Sequence, residues 1–329
     1  MTATTALPRL AIGSLGGTVS MQAGTLQSGV IPALGCEQQV ALLPELREMA
    51  QLELATLGMV PSASLAFQAL LDVLAWACEQ VERGAQAVML TQGTDTLEET
   101  AYFFDLLWPF DTPLVLTGAM RSANRPGSDG PANLLAAAQV ALAQPSHGRG
   151  VLVVINDQIH CAARVRKTDS FAMAAFESPG GGALGEVVEG VAAYYHPPSP
   201  RSVLPTPHRL DHQVALLEAC LDADTALLKS IPSLGYEGLV IAGFGAGHVS
   251  DTWSEMLDQL VLQMPVIVAT RTGSGPTARS SYGFAGGEID LQKKGVHMAG
   301  QLCPRKCRIL LWLLIGTGTQ SRLHTWLPR

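Results

Sequence analysis

The sequence predicts an α/β fold with two α/β domains: a larger N-terminal domain on a doubly wound, mostly parallel sheet, and a smaller C-terminal α/β domain. Short apolar runs alternate with helical patterns in both halves of the chain. The runs are almost uniformly apolar, which is typical of strands covered on both faces of a parallel sheet. A proline-rich stretch without periodicity separates the halves and predicts a linker.

The N-terminal domain is expected to span residues 1–193. Its strands are predicted at 10–15, 52–59, 87–91, 114–119 and 151–156, and its helices near 37–50, 65–83, 96–107 and 130–143. Because a helix follows each strand before the next one begins, the connections predict right-handed βαβ units. Ligands bind such sheets at the carboxyl ends of the strands.

The C-terminal domain is expected at residues 214–329, after a linker at 194–213. Its strands are predicted at 214–220, 238–243 and 266–270, and its helices near 223–230, 251–263 and 304–314. The alternation is briefer here than in the first half, so this domain should be built on a smaller sheet.

Composition and charge limit the classes of partner. The net charge is −7 and the basic residues are scattered, which argues against nucleic acid because phosphate binding needs a positive surface. No apolar run approaches the roughly 18 residues that span a bilayer. The N-terminal residues show no secretory signal, and the six Cys residues follow no disulfide or zinc spacing. We therefore expect a cytoplasmic protein with no membrane partner, no metal and no cofactor.

Glycine and hydroxyl residues follow the first predicted strand. The stretch GSLGGTVS at 13–20 differs in spacing from a dinucleotide-binding fingerprint and lacks the Lys-Ser/Thr of a P-loop. Its glycines allow the backbone to approach a small ligand closely. Thr18, at the end of the turn, offers a nucleophilic hydroxyl.

The third predicted strand leads into TQGTDTLEET. Thr96 and Glu99 fit a capping box at the start of a helix. Capping needs only one of the hydroxyl or carboxylate groups in this turn. Thr94 and Asp95 are therefore left for another role, at the edge of the sheet where ligands bind.

Four motifs resemble those of bacterial-type L-asparaginases and glutaminase-asparaginases. They are GGTVS, TQGTDTLEETAYFFDLL, GAMR…SDGPANL and GVLVVINDQIHCAARVRKTDSFAMAAF, in this order across about residues 18–180. The resemblance continues more weakly through GFGAGH, YGF and GQLCPRKCRILLWLL. It implies that Thr18 is the nucleophile and that Thr94, Lys167 and Asp95 form a Thr–Lys–Asp arrangement.

The resemblance also implies the groups that hold the substrate. Ser62 stands where a serine holds the substrate α-carboxylate, and Asp95 where an aspartate holds the α-ammonium group. Ala119 matches an alanine whose carbonyl oxygen faces the substrate amide. Independently of the resemblance, backbone N–H groups at the Gly-Thr turns, Gly93 among them, and at the helix start near Asp95 are natural donors to an oxyanion. Ser62 alternatively caps a helix that starts near residue 65.

A second subunit completes each site in the resembled family. The matching residues here are His248 in GAGH and Glu288 in GGEIDL. The resemblance therefore implies a homodimer or homotetramer with sites at the subunit interface. Two departures stand out: Ala63 replaces a glutamine, and the segment between Thr18 and Cys36 carries no aromatic residue. Tyr282 is a candidate substitute for the missing tyrosine of this segment, which we expect to act as a lid.

The expected activity is hydrolysis of L-asparagine to L-aspartate and ammonia through an acyl-enzyme on Thr18, with L-glutamine as a side substrate. Lys167 is either a base or a group that orients Thr94 and a water. Burial would lower the pKa of this lysine, whereas the neighbouring Asp95 would raise it, so the sequence leaves both roles open. One alternative is the amidase subunit of a tRNA-dependent amidotransferase. Another is a catalytically weakened amino-acid-binding or regulatory homologue, which the two departures favour.

Overall fold

The computed structural model describes residues 6–17, 20–23, 30–32 and 34–327. The chain divides into two compact units, Met1–Val203 and Leu204–Arg329. The division falls inside the segment 194–213, and residues 195–213, all of which are described, hold no helix or strand. None of the helices in the described ranges combines the length and the apolar character needed to cross a membrane.

The first unit carries the larger sheet. Its strands are β1 Arg9–Ser14, β2 Met21–Ala23, β3 Val30–Pro32, β4 Gln51–Thr56, β5 Ala87–Thr91, β6 Leu114–Thr117, β7 Val151–Ile155, β8 Gln158–Cys161, β9 Arg166–Lys167, β10 Phe176–Glu177, β11 Gly185–Val188 and β12 Val191–Tyr194. Its helices are α1 Cys36–Ala41, α2 Glu45–Met49, α3 Phe67–Glu82, α4 Leu97–Leu107 and α5 Gly130–Leu142. A 3-10 helix at Ser62–Ser64 precedes α3.

Eight of these strands form one sheet in the order β12-β11-β8-β7-β6-β5-β1-β4. The five strands from β4 to β7 along this order are parallel, and β8, β11 and β12 are antiparallel. Strands β5 and β7 are buried along their whole length, as their uniformly apolar sequences predict. The predicted class, two α/β domains with a mostly parallel N-terminal sheet, is confirmed.

The second predicted strand differs from its prediction. It is the edge strand β4, which ends at Thr56 rather than at residue 59, and its exposed side chains include Gln51 and Glu53 while Leu52 and Leu54 are half-buried. An edge strand has one neighbour only, so it shows polar residues to water. The predicted helix at 37–50 is also two helices, because Pro44 cannot continue the first one.

The bounds of the antiparallel strands β8, β11 and β12 were not predicted. The chain reverses between β7 and β8 at Asn156 and Asp157, which both adopt positive φ angles, 51° and 58°. Such a two-residue turn suits the twist of a β-hairpin. The strands that follow are two to four residues long, too short for a pattern of apolar residues to stand out.

The second unit is built on a smaller parallel sheet. Its strands are β13 Val214–Glu218, β14 Gly238–Gly243, β15 Val266–Thr270 and β16 His297–Met298, in that order across the sheet. Its helices are α6 Ala226–Ser230, α7 Asp251–Leu260, α8 Glu288–Lys294, α9 Pro304–Gly316 and α10 Leu323–Trp326. The largely buried helix α9 packs against β13, β14 and β15. Strand β16 and helices α8 and α10 were not predicted.

Two turns touch backbone to backbone at the carboxyl ends of β1 and β5. The amide of Leu15 donates a hydrogen bond to Thr91 O at 2.9 Å, which holds the two chains together as they leave the sheet. Gly17 has a φ of +85°, and a Cβ placed on it would lie 2.0 Å from Gly93 N and 2.3 Å from Gly93 Cα. Only glycine fits at position 17, because both the φ angle and the contact exclude a side chain.

Gly17→Ala is expected to lower the free energy of unfolding by about 3 kcal/mol, since backbone strain and a backbone clash act together. Urea denaturation followed by far-UV circular dichroism measures the change.

Gly180→Ala is the matched control. Gly180 has a φ of +76°, but nothing lies within 4 Å of the position that its Cβ would take. We expect Gly180→Ala to lower the free energy of unfolding by about 1 kcal/mol, from backbone strain alone. Equal losses for the two variants would contradict the close contact between the turns.

Candidate active site

The turn after β5 and the strand β9 bring three predicted site residues together. Lys167 Nζ lies 2.9 Å from Thr94 Oγ1 and 3.1 Å from Asp95 Oδ1. Thr94 is buried at 5% exposure, and the Lys167 side chain is 17% exposed. An ammonium group close to a buried hydroxyl and a carboxylate is an arrangement that can orient and polarise the hydroxyl.

Asp95 differs from its two neighbours in exposure. Its side chain is 66% exposed, so water screens its ion pair with Lys167 and the pair adds little to stability. The exposed carboxylate is instead accessible to a cationic group from solution. Its position, directly after Thr94 at the carboxyl end of β5, places it at the sheet edge where ligands bind.

Ser62 lies in the 3-10 helix and not at a helix cap. The following helix α3 begins at Phe67 with Ala66 at its N-cap, so the capping interpretation of Ser62 is wrong. Ser62 is 2% exposed, and its Oγ has no hydrogen-bond partner among the described residues. A Cβ on Gly93 would lie 2.7 Å from this oxygen, so the glycine leaves room beside it. A bound polar ligand is one way to satisfy such a hydroxyl.

Thr96 has a different role from the one predicted for it. It occupies the N-cap position of α4, but its side chain makes no capping hydrogen bond. Its Oγ1 donates to Ser62 O at 3.0 Å and accepts from Gln92 Nε2 at 3.1 Å. The hydroxyl therefore ties the Ser62 turn to the turn after β5. The capping-box interpretation of Thr96 was wrong because a contact 34 residues away in the chain takes its hydroxyl.

The loop that contains Ala119 follows β6 and is held by a carboxylate and an amide. Ala119 is fully buried. Asp129 accepts hydrogen bonds from the amides of Met120 and Arg121, both at 2.8 Å. Asn133 Nδ2 donates a hydrogen bond to the carbonyl oxygen of Gly118, the residue before Ala119, at 2.9 Å. The SDGPANL motif contains both supporting residues, but the sequence assigned no role to either of them.

A buried glutamine links the two strands that lead into the site. Gln39 Nε2 donates to Ser14 Oγ at 2.8 Å and to Leu34 O at 3.1 Å, and Thr91 Oγ1 donates to Gln39 Oε1 at 3.0 Å. Ser14 and Thr91 are the last residues of β1 and β5. Gln39 thereby fixes the spacing of the two turns. The sequence did not predict this role for Gln39, because no local pattern distinguishes a polar residue of an amphipathic helix that makes such a contact from one that faces solvent.

The predicted nucleophile Thr18 lies outside the described residues. Residues 24–29 of the expected lid also lie outside them. The described residues that flank Thr18 are hydrogen-bonded. Ser20 N donates to Gly17 O at 2.9 Å, and Leu34 N donates to Ser20 O at 2.9 Å. Gly17, which precedes Thr18 in the sequence, is the glycine that contacts the Gly93 turn.

The cysteines in the described residues are free thiols. Burial raises the pKa of Cys36 to about 11, so this thiol is protonated at neutral pH and packs as a small apolar side chain. Among the described residues no three His, Cys, Asp or Glu side chains are grouped as a metal site would require.

His248 and Glu288 form a pair in the second unit. His248 Nε2 lies 3.2 Å from Glu288 Oε2, and the rings of Tyr282 and Phe284 contact the imidazole edge to face. Glu288 is fully buried, and its Oε1 accepts hydrogen bonds from the amides of Ser281 and Tyr282. Burial alone would raise the pKa of Glu288, but the hydrogen bonds from these amides and from His248 outweigh it and lower the pKa.

Glu288→Gln is expected to destabilise the protein at neutral pH and to do so less as the pH falls. The ordinary glutamate pKa is 4.5, and the folded-state pKa lies below it. The ionised carboxylate therefore stabilises the fold above pH 4.5, and this contribution is lost as the pH falls through the folded-state pKa. Urea denaturation of both proteins at about pH 7, 5 and 3 tests this.

Glu255→Gln, a change at an exposed position on α7, is the control and should show no such trend. A stability difference between Glu288→Gln and wild type that stays constant over this pH range would contradict the assignment.

Two family models cover nearly the whole chain. The asparaginase N-terminal domain matches residues 9–200, and the glutaminase/asparaginase C-terminal domain matches residues 213–324. The resemblance inferred from the four motifs is confirmed by these matches.

Relatives and a solved structure agree with the family models. "Probable L-asparaginase" of Deinococcus radiodurans is 36% identical over 95% of this chain and 94% of its own length. "Probable L-asparaginase periplasmic" of Haemophilus influenzae is 33% identical over 94% of this chain and 89% of its own. The crystal structure of a probable cytoplasmic L-asparaginase from Campylobacter jejuni has a TM-score of 0.87 at 28% identity, covering 97% of this chain and 99% of that one. The chain belongs to the asparaginase family.

Proposed function

We propose that this protein hydrolyses L-asparagine to L-aspartate and ammonia. The observation that carries the proposal is the position of Lys167 Nζ, 2.9 Å from Thr94 Oγ1 and 3.1 Å from Asp95 Oδ1, at the carboxyl end of β5. It occurs in a chain of the asparaginase family whose relatives bear the name L-asparaginase.

Three groups are assigned to substrate binding. The exposed carboxylate of Asp95 takes the α-ammonium group, and the unpartnered Ser62 hydroxyl takes the α-carboxylate. The carbonyl oxygen of Ala119, in the loop that Asp129 and Asn133 hold, accepts a hydrogen bond from the side-chain amide. Together these contacts would place the amide carbon next to the turn that contains Gly17, the residue before Thr18 in the chain.

The chemistry assigned to the site takes two steps. Thr18 Oγ attacks the amide carbon and loses its proton, while backbone N–H groups of the Gly93 turn stabilise the oxyanion. The C–N bond then breaks, and the amide nitrogen takes up the proton that Thr18 lost and leaves as ammonia. A water that Thr94 and Lys167 orient attacks the resulting ester, which releases aspartate and restores the Thr18 hydroxyl.

The finer choice of substrate is part of the proposal. Asparagine and glutamine differ by one methylene, and a pocket discriminates such a pair by only about 1–3 kcal/mol. We therefore retain L-glutamine as a side substrate. The amidotransferase subunit and the amino-acid-binding homologue are not favoured, because proteins named L-asparaginase match up to 95% of this chain at 30% identity or more.

A homodimer or homotetramer with sites at the subunit interface also remains a proposal. The pair of His248 and Glu288 supports it, since Tyr282 and Phe284 beside the pair are about half exposed and form an apolar surface on this unit. A cytoplasmic location stays a prediction too, because one relative is named periplasmic and one neighbouring structure cytoplasmic.

Substitution of the proposed catalytic groups is expected to abolish most ammonia release. Thr18→Ala, Thr94→Val and Lys167→Met should each lower kcat for L-asparagine by roughly 10²-fold or more, as expected for loss of a nucleophile or of a proton-transfer group. A coupled ammonia assay with L-asparagine, L-glutamine and their D-forms measures this. Near-normal turnover by Thr18→Ala, or by both of the other variants, would refute the mechanism.

Ser62→Ala is expected to raise KM for L-asparagine about tenfold or more, with a smaller effect on kcat, because a hydrogen bond to a charged group is worth about 1.5–3 kcal/mol. Ser64→Ala is the matched control, since Ser64 lies in the same 3-10 helix but is exposed. The same KM for both variants would remove Ser62 from the binding site.

A further inference from the structure

We propose that Glu98 is a positioning residue for Lys167, holding the main chain of the short strand that presents the lysine to Thr94. Glu98 Oε2 accepts a hydrogen bond from Lys167 N at 2.6 Å. Glu98 is 2% exposed and lies in the first turn of α4. The inference rests on the proposed function, because it concerns a residue of that same site.

The pairing of β9 explains why a carboxylate is needed there. Strand β9 has only two residues and pairs with β10, with Lys167 opposite Phe176. The next amide, Thr168 N, donates to Ala175 O at 2.7 Å. Successive N–H groups of a strand point to opposite edges, so the amide of Lys167 points away from β10. The Glu98 carboxylate accepts the hydrogen bond from this amide, which a carbonyl group of a further strand would otherwise have to accept.

Lys167 is thereby held at both of its ends by one short segment. Thr94 and Asp95 contact its Nζ, and Glu98 contacts its main-chain nitrogen. A lysine side chain has four flexible torsions, so a contact at Nζ alone leaves its position poorly determined. A fixed backbone restricts the conformers that reach Thr94. The carboxylate itself is favoured at the positive end of α4.

A purely structural role for Glu98 predicts something different. If Glu98 only stabilises the start of α4, its removal lowers stability but leaves the turnover of the folded protein unchanged. If it positions Lys167, its removal lowers kcat of the folded protein, because a displacement of about 1 Å in a catalytic group costs up to about 10²-fold. KM changes little, since Ser62 and Asp95 hold the substrate.

The experiment compares Glu98→Ala, Glu98→Gln and Glu98→Asp with Glu45→Ala. Glu45 is the matched control because it is an exposed glutamate in the first turn of α2, in the same unit. Far-UV circular dichroism and thermal melts establish the folded fraction, and the ammonia assay with L-asparagine gives kcat and KM. Should Glu98→Ala not fold, Glu98→Asp, which withdraws the carboxylate by one methylene, takes its place.

We expect kcat to fall roughly 10- to 100-fold in Glu98→Ala, with KM within about threefold of wild type. Glu98→Gln keeps an acceptor oxygen and should retain kcat within about fivefold, and Glu45→Ala should match wild type. An unchanged kcat in folded Glu98→Ala would overturn the proposal. A loss in Glu98→Gln as large as that in Glu98→Ala would also overturn it, because an acceptor oxygen would then not suffice.

Hydrogen exchange provides a readout that does not depend on activity. The amide of Lys167 should exchange faster in Glu98→Ala than in wild type, and Glu98→Gln should lie close to wild type. Equal exchange in all three proteins would overturn the proposal. If wild type released no ammonia from any amide while the exchange rates differed as expected, the proposed function would fail and the contact between Glu98 and the strand would stand.

Discussion

The contact between Gly17 and Gly93 is the constraint on which the rest of the site depends. A Cβ on Gly17 would lie 2.0 Å from Gly93 N, so the turns after β1 and β5 meet backbone to backbone. This contact places Gly17, the residue before Thr18 in the chain, against the segment that leads into Thr94 and Asp95. The room for Ser62 Oγ also depends on the missing Cβ of Gly93. The lack of a side chain at Gly17 and at Gly93 therefore determines how closely these two turns and the Ser62 hydroxyl approach one another.

Around that contact, buried and half-buried polar side chains connect separate strands, helices and loops. Gln39 joins the ends of β1 and β5, Thr96 joins the Ser62 turn to α4, and Glu98 joins α4 to β9. Asp129 and Asn133, at the start of α5, hold the loop after β6, which lies 9 to 15 residues before them in the chain. Apolar packing forms the sheet, but such directional bonds set the relative positions of its loops.

The sequence predicted well the parts of the fold that burial alone determines. Strands β5, β14 and β15 begin and end where predicted, because each is a short, fully buried apolar run. The edge strand β4 and the short antiparallel strands were misjudged or missed, because their partners and not their own residues decide their burial. In the site, motif resemblance found Thr94, Asp95 and Lys167, whereas Gln39 and Glu98 act through contacts 52 and 69 residues away that no local pattern records.

The hydroxyl of Ser62, which has no hydrogen-bond partner in the part of the chain that the structure describes, links the stability of this protein to its affinity for a ligand. A buried hydroxyl without a hydrogen bond destabilises the empty protein by about 1–3 kcal/mol. A ligand oxygen that accepts a hydrogen bond from this hydroxyl removes that destabilisation. The ligand-bound protein is therefore more stable against unfolding than the ligand-free protein. An alanine at this position would make the ligand-free protein more stable and would lower its affinity for the ligand. At this one oxygen atom, stability and affinity are in direct competition.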